Sequence, residues 1–219
     1  MPTYEGLRLK LLKFKRLKFA NRRRKKLNKT DFTIISNNCW GGMLYESYNL
    51  PKQSPTVGLY FMASDYIKFV SNLHGYIEKD LKFIQPWESK WKDSEQIKND
   101  VHFGEYPIGK LGDIEIFFLH YKDEEEALAK WQRRVKRINW DRLLIKFNDQ
   151  NGCTLKDLND FLSLPYKNKV FFTSNEWPNI TNDRVIKISQ FPKHKSIMAS
   201  YEPFGSNKYL NIENLLNSL

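Results

Sequence analysis

Cysteine is scarce in this chain, and its scarcity excludes several classes of protein. The 219 residues contain two cysteines, Cys39 and Cys153. Two thiols provide neither the disulfide framework of a small secreted domain nor a four-cysteine zinc site. The chain has four histidines, at His74, His102, His120 and His194. Their spacing is not typical of metal ligands, so we expect no metal site.

Long apolar runs are also missing. No run approaches the ~20 residues that a membrane-spanning helix needs. The N-terminus lacks an apolar stretch followed by a small-residue cleavage site, so we expect no secretion signal and a cytoplasmic protein. Hydrophobic residues still make up 41% of the chain. That fraction is enough to form the core of one folded domain.

The net charge of +11 is concentrated at one end of the chain. Residues 1–30 hold twelve of the 36 basic residues and one of the 25 acidic residues. The remaining 24 basic and 24 acidic residues cancel, so the rest of the chain is neutral. We therefore expect a basic N-terminal arm over 1–30 and a single domain over 31–219.

The arm has three interpretations. On a helical wheel, one arc carries Leu7, Leu11, Phe14 and Leu17. The opposite arc carries Leu9, Leu12, Phe19 and Ala20. Such a helix could dock on the domain through its apolar residues. It could instead attach to an anionic membrane surface through its basic cluster, Arg22, Arg23, Arg24, Lys25 and Lys26. Nucleic acid is the least favoured partner, because the remainder of the chain is neutral.

The rest of the chain alternates between strand and helix patterns. Runs of β-branched and aromatic residues predict strands over 32–35, 56–62, 114–120, 143–149, 169–174 and 184–188. Helical spacing predicts helices over 43–48, 66–77, 123–138, 155–162 and 206–217. We expect Ser64 to cap the second of these helices and Thr154 the fourth. This alternation predicts a three-layer α/β/α domain with a largely parallel or mixed sheet.

Polar residues follow four of the predicted strands. They are Asn37, Asn38 and Cys39 after the first, His120 after the third, Asn148 and Asp149 after the fourth, and Ser174 after the fifth. Open parallel sheets bind ligands beyond the carboxyl ends of their strands. We interpret Cys39 as a nucleophile, His120 as its base and Asp149 as the acid that orients the base. The same groups could instead hydrogen-bond a sugar.

The candidate substrate-binding residues surround this set. They are Asn37, Asn38, Trp40, Gly41, Gly42, Asn148 and Ser174. An exposed indole at Trp40, beside two glycines, would suit stacking on a sugar or adenine ring, but the same side chain could fill the core. Structural alternatives exist for Cys39 as a small buried side chain, for His120 as a core histidine, and for Asn148 and Asp149 as turn residues.

Six motifs carry a resemblance to a known family. They are Ile-Ser-Asn-Asn-Cys-Trp-Gly-Gly (35–42), Ser-Pro-Thr-Val-Gly-Leu-Tyr-Phe (54–61), Asp-Tyr-Ile-Lys-Phe (65–69), Tyr-Pro-Ile-Gly-Lys-Leu-Gly-Asp-Ile-Glu-Ile-Phe-Phe-Leu-His-Tyr (106–121), Trp-Gln-Arg-Arg-Val-Lys-Arg-Ile-Asn-Trp (131–140) and Lys-Phe-Asn-Asp-Gln-Asn (146–151). Together they resemble the bacterial domain-of-unknown-function-1919 family, often labelled exopolysaccharide or capsule biosynthesis proteins. The resemblance covers about residues 30 to 205, without the arm, and it brings no catalytic residue with it.

These observations lead to two hypotheses about function. The first is a group transferase, for acyl or related groups, that acts on a sugar during surface-polysaccharide synthesis, on the inner face of the membrane. Its ligands would be a sugar and a nucleotide-sugar or acyl-CoA. The alternative is a non-enzymatic accessory subunit that binds a carbohydrate or a nucleotide. The sequence does not identify a cofactor.

Overall fold

Two β-sheets form the framework of the protein. The structure, a computed structural model, describes residues 4–188 and 194–219. The strands in chain order are β1 (Thr33–Ser36), β2 (Lys82–Ile84), β3 (Ile108–Leu111), β4 (Ile114–Phe117), β5 (Leu143–Asn148), β6 (Lys169–Thr173) and β7 (Val185–Lys187). The main sheet has the order β1-β5-β6-β7, and every neighbouring pair in it is parallel. The smaller sheet, β2-β3-β4, is antiparallel.

Helices surround these sheets. In chain order they are α1 (Tyr4–Lys18), α2 (Ala20–Arg24), α3 (Trp40–Ser47), α4 (Ala63–Ser71), α5 (Leu73–Ile77), α6 (Glu95–Lys98), α7 (Glu124–Val135), α8 (Leu155–Ser163) and α9 (Ile212–Asn217). A short 3-10 helix covers Pro86–Glu88. None of the helices in the described part of the chain combines the length and the apolar character needed to cross a bilayer.

Helices cover both faces of the main sheet. Successive side chains along a strand point in opposite directions, so each strand contributes side chains to both faces. One face contacts α4, α7 and α8 through side chains that include Ile35, Ile145, Phe147 and Phe171. The other face contacts α3 and α9 through Ile34, Leu144, Val170 and Phe172. Strands buried on both faces carry apolar residues at successive positions, as residues 34–35, 143–145 and 170–172 do, and this pattern made β1, β5 and β6 predictable from the sequence. The predicted α/β class is confirmed.

Helices α1 and α2 contain most of the predicted basic arm, and they pack against the domain. Leu9, Leu12 and Leu27 contact the apolar cluster beside α3. The Arg23 guanidinium, on α2, attaches this region to the end of α3 by donating a hydrogen bond to the Ser47 carbonyl at 3.1 Å. The other arc of α1 stays in solvent, where Leu7, Leu11 and Phe14 are each more than 50% exposed. The described part of the arm is therefore joined to the domain on one side and free on the other.

Two predicted strands differ from the structure. Residues 56–62 do not form a strand; only Tyr60 pairs, in an isolated antiparallel bridge to Phe117. The segment turns at Gly58, whose φ of +80° disfavours any side chain. The predicted strand over 114–120 ends at Phe117 and forms an antiparallel hairpin with β3. It belongs to the smaller sheet, because a two-residue turn at 112–113 joins it to its neighbour.

The predicted starts of two helices are close to the observed ones, because each start is fixed by a capping residue next to it in the sequence. Asp123 and Thr154 accept hydrogen bonds from the backbone of their first turns, at the starts of α7 and α8. The predicted helix over 66–77 is instead two helices, α4 and α5, separated by Asn72, which caps α5. The prediction that Ser64 caps α4 is wrong, because the helix already begins at Ala63 with Met62 at the cap position.

Candidate functional site

The carboxyl ends of β1, β5 and β6 lie side by side, because these three strands are parallel neighbours. This brings Asn37, Asn148 and Asp149 to one edge of the main sheet. His120 arrives differently, on the loop after β4, which belongs to the smaller sheet. Its backbone N–H donates to the Gly58 carbonyl at 3.0 Å. The expected gathering of four parallel strand ends therefore holds for three of them.

The asparagines at this edge form a buried hydrogen-bonded network. Asn37 Nδ2 donates to Asn148 Oδ1 at 2.7 Å. Asn38 Nδ2 donates to Gln150 Oε1 at 2.9 Å. Asn148 Nδ2 donates to Glu202 Oε1 at 2.6 Å. The three asparagine side chains are thus largely committed to one another and to Glu202, and they hold the strand ends together.

An ion pair between Lys146 and Glu202 lies at the centre of this network. Lys146 Nζ is 2.6 Å from Glu202 Oε1, and both side chains are fully buried. Nζ also donates to Asn38 Oδ1 at 2.9 Å. Burial lowers the pKa of Lys146 to about 8 and raises the pKa of Glu202, in each case against the attraction of the partner. Among the described residues, Glu202 Oε2 has no hydrogen-bond partner.

Neither member of this ion pair was among the predicted site residues. Lys146 did carry a signal, since it is a charge in the middle of the apolar strand β5. A lysine in a strand buried on both faces needs an anion nearby. Glu202 gave no comparable signal, because it comes from an irregular segment far along the chain.

Trp40 and the two glycines build the wall behind the site. The Trp40 indole is only 1% exposed, and its Nε1 donates to the Pro203 carbonyl at 2.8 Å. It fills the core, so it is not available to stack on a ligand. Gly41 and Gly42 lie in the first turn of α3, which begins at Trp40 instead of Met43. A Cβ on Gly42 would come within 2.9 Å of Val57 Cγ1, so only glycine allows this close packing.

Cys39 and His120 line the same space but make no hydrogen bond with each other. Cys39 is partly buried at the start of α3, and burial raises the pKa of its thiol to about 11, against the opposing effect of Lys146. The thiol is therefore protonated at neutral pH. His120 is exposed to solvent. The part of its imidazole that is desolvated, and the positive charge of Lys52, both lower the pKa of the ring. A neutral imidazole at pH 7 is able to accept a proton.

Asp149 is occupied elsewhere. Its carboxylate accepts hydrogen bonds from Thr173 Oγ1, the Ser174 N–H, Asn175 Nδ2 and the Ile197 N–H. None of its hydrogen bonds goes to His120. Ser174 lies in the same cluster, where its hydroxyl contacts the His194 carbonyl at 3.4 Å. Both residues join the loop after β6 to the segment around Ile197, and neither lines the two cavities described next.

The first cavity, which we call the polar cavity, has a volume of about 590 Å³. Its polar lining comprises Asn38, Cys39, Tyr60, Gln96, Asn99, Asp100, His120, Gln150, Asn151 and Ser200. The side chains of Gln96 and Asn99 are exposed and make no hydrogen bond with the residues that the structure describes. This cavity therefore offers free carboxamide groups to a ligand.

The second cavity, which we call the basic cavity, adjoins the first. Its volume is about 410 Å³, and Cys39, Met43 and His120 belong to both. Its charged lining comprises Lys13, Arg16, Lys52, Lys130, Arg134 and Glu46. Helices α1, α3 and α7 each contribute to this lining. Over residues 4–188 and 194–219, no group of three or more His, Cys, Asp or Glu side chains is arranged to hold a metal ion.

The comparisons with known proteins identify a family but no activity. The family model "Domain of unknown function (DUF1919)" matches residues 10–217. A protein of Haemophilus influenzae, itself described only as uncharacterised, is 36% identical over 190 residues, which are 86% of this chain and 84% of that protein. The match begins inside α1 and ends inside α9, so the expected limits of 30 to 205 were too narrow. The chain belongs to the DUF1919 family.

Proposed function

We propose that this protein is a group transferase that acts on a sugar, with the polar cavity as the acceptor site. One observation carries the proposal: five carboxamide side chains and one carboxylate line a cavity whose wall contains Cys39 and His120. A role in the synthesis of a surface polysaccharide would fit this activity.

The lining of the polar cavity matches the chemistry of a sugar. Each sugar hydroxyl both donates and accepts a hydrogen bond, and a carboxamide group offers both functions. Gln96 and Asn99 are free to do so, whereas the Asp100 carboxylate already accepts from the Tyr106 hydroxyl at 2.5 Å. Apolar side chains such as Ile97 and Leu119 provide surface for the C–H groups of the ring.

The proposed reaction is a direct transfer with His120 as the general base. His120 takes the proton from a sugar hydroxyl, whose oxygen attacks the electrophilic carbon of the donor, which is the carbonyl carbon of an acyl-CoA or the anomeric carbon of a nucleotide-sugar. The bond between that carbon and the donor's leaving group breaks, and His120 returns the proton to the leaving group. Cys39 lies beside the reacting centre as a neutral thiol, because a pKa of about 11 leaves little thiolate at neutral pH.

The accessory-subunit hypothesis has one observation in its favour. Cys39 and His120 are not hydrogen-bonded to each other, and Asp149 does not orient His120. A non-enzymatic protein would use the same polar cavity to bind a carbohydrate or a nucleotide and would have no turnover to lose.

The test combines binding with turnover. Sugar acceptors are incubated with acyl-CoA or nucleotide-sugar donors, and products are detected by mass spectrometry. We expect His120→Ala to reduce turnover by about 10²–10⁴-fold while acceptor binding persists. His74→Ala is the matched control, because His74 stacks on Trp140 outside both cavities. Binding of a sugar or a nucleotide without turnover in the wild type would favour the accessory subunit, and binding of neither ligand would contradict both hypotheses.

Attachment to an anionic membrane surface through Arg22, Arg23, Arg24, Lys25 and Lys26 stays a prediction. The exposed apolar arc of α1 supports it, since an amphipathic helix with basic flanks binds such surfaces. Within the basic cluster, Arg23 and Arg24 already donate to backbone carbonyls of the domain. We therefore assign the lipid contacts chiefly to the apolar arc, Arg22 and Lys25.

A further inference from the structure

The basic cavity has more positive charge than its own carboxylates neutralise. Five cations and one carboxylate line it. Lys52 pairs with that carboxylate, Glu46, at 3.0 Å, and Lys130 pairs with Glu126 outside the cavity. Lys13, Arg16 and Arg134 have no carboxylate partner among the residues that the structure describes. The cavity therefore has an excess of three positive charges.

Arg16 is the most unusual of these cations. Only 6% of its surface is exposed. Its Nη1 contacts Met43 Sδ at 3.3 Å, and a thioether sulfur is a weak acceptor. Its Nε is buried without a hydrogen-bond partner in the described chain. A buried guanidinium N–H group without an acceptor costs free energy, and an anion that accepts a hydrogen bond from it would remove that cost.

Arg134 provides a second guanidinium, from a different helix. It is 7% exposed, and its Nη1 donates to the Val57 carbonyl at 3.2 Å and to Tyr121 Oη at 2.5 Å. Both of its hydrogen bonds leave from this one nitrogen. The other guanidinium nitrogens have no acceptor within the described residues. Nε and Nη2 of an arginine form the fork that binds two oxygens of a phosphate group.

We propose that the basic cavity binds a phosphate or diphosphate group of the donor substrate, with Arg16 and Arg134 as the principal ligands. The inference rests on the proposed function, because Cys39, Met43 and His120 belong to both cavities. A diphosphate in the basic cavity holds the donor beside His120, opposite the sugar in the polar cavity. Nucleotide-sugars, acyl-CoAs and lipid diphosphates all carry this group.

The test measures the binding of inorganic pyrophosphate to the full-length protein by isothermal titration calorimetry at physiological salt. Replacing Arg16 by methionine removes a charge-assisted donor, so we expect the Kd to rise about tenfold or more. Lys13→Gln changes an exposed side chain, so we expect the Kd for pyrophosphate to rise several-fold while the protein stays folded. Lys10→Gln is the matched control, because it removes one charge from the exposed side of the same helix.

A folded Arg16→Met variant with the Kd of the wild type would overturn the inference, and so would either of two further binding results. One is a wild-type protein that does not bind pyrophosphate at millimolar concentration. The other is an equal effect of Lys13→Gln and Lys10→Gln, which would reduce the binding to a general effect of net charge. If Arg16→Met fails to fold, the difference in Kd between Lys13→Gln and Lys10→Gln is the test of the inference.

Competition then separates the sources of the phosphate group. Uridine diphosphate, coenzyme A and geranyl diphosphate are titrated against bound pyrophosphate, and the strongest competitor identifies the donor class. Equal affinity for all of them and for pyrophosphate would overturn the assignment to a donor. Pyrophosphate binding without any transfer would contradict the proposed function alone. Transfer that requires His120 but is insensitive to Arg16 and Lys13 would contradict this inference alone.

Discussion

Replacing Lys146 by methionine tests whether the buried ion pair holds the strand ends together. The substitution keeps most of the side-chain volume but removes the cation 2.6 Å from Glu202 Oε1. Glu202 keeps the hydrogen bonds from Asn148 and Asn38, at 2.6 and 3.3 Å, and loses its only counter-ion within the described chain. Breaking a buried pair in this way costs about 3–5 kcal/mol of unfolding free energy.

This cost is large enough to measure in two ways. For a chain of this size each kcal/mol lowers the Tm by about 2–4 °C, so we expect a decrease of about 6–20 °C. Urea unfolding, followed by tryptophan fluorescence, gives the free energy directly. The double variant Lys146→Met/Glu202→Gln should recover most of the loss, because it removes both charges from the interior.

The pH dependence of the unfolding free energy provides an independent test of the unpaired charge on Glu202 in the Lys146→Met variant. Burial raises the pKa of Glu202, and Lys146 counteracts this increase. Without Lys146 the folded protein binds a proton at Glu202 more readily than the unfolded chain does. The variant should therefore regain stability as the pH falls from 7 to 5, by up to about 1.4 kcal/mol per pH unit more than the wild type. A cost below about 1 kcal/mol at pH 7, or a double variant no more stable than the single one, would refute the reasoning.

Two further predictions concern the thiol at the site and the outer side of α1. In a Cys153→Ala background, Cys39 should react with iodoacetamide at pH 8 about 100-fold more slowly in the folded protein than in urea, because burial raises its pKa from 9.0 to about 11. Equal rates in the two states would contradict this raised pKa. In vesicle co-sedimentation, binding to phosphatidylserine should exceed binding to phosphatidylcholine and should weaken on Leu11→Ser. The matched control is Trp87→Ser, at an exposed apolar side chain away from α1; an equal loss with this control would contradict attachment through α1.

The sequence predicted those elements whose cause is local. Strands β1, β5 and β6 each contain two or three successive apolar residues, and the start of α7 is fixed by Asp123, which accepts a hydrogen bond from the first turn of that helix. The hairpin of β3 and β4 was not predictable in the same way. Its residues have strand character, but pairing with a parallel or an antiparallel neighbour depends on the turn at Gly112 and on the rest of the sheet.

The candidate site shows the same limit. Asn37 and Asn148 lie at neighbouring strand ends, as the rule for parallel sheets predicts. His120 approaches Cys39 through a different sheet, by a contact to Gly58 that no strand pattern indicates. Glu202 comes from an irregular segment, and only the isolated charge of Lys146 suggested that a partner exists. Long-range pairing of polar side chains depends on the assembled fold.

The diameter of α1 sets the distance between its solvent-facing apolar arc and the side that lines the basic cavity. Its apolar arc at Leu7, Leu11 and Phe14 faces solvent, while Arg16 on the same helix lines the basic cavity. An α-helix with its side chains is about 10–12 Å across. A membrane that adsorbs to the apolar arc would therefore bring its lipid headgroups within one helix diameter of Arg16. In that arrangement a diphosphate that links a sugar to a lipid would lie at the height of the headgroups, level with the basic cavity.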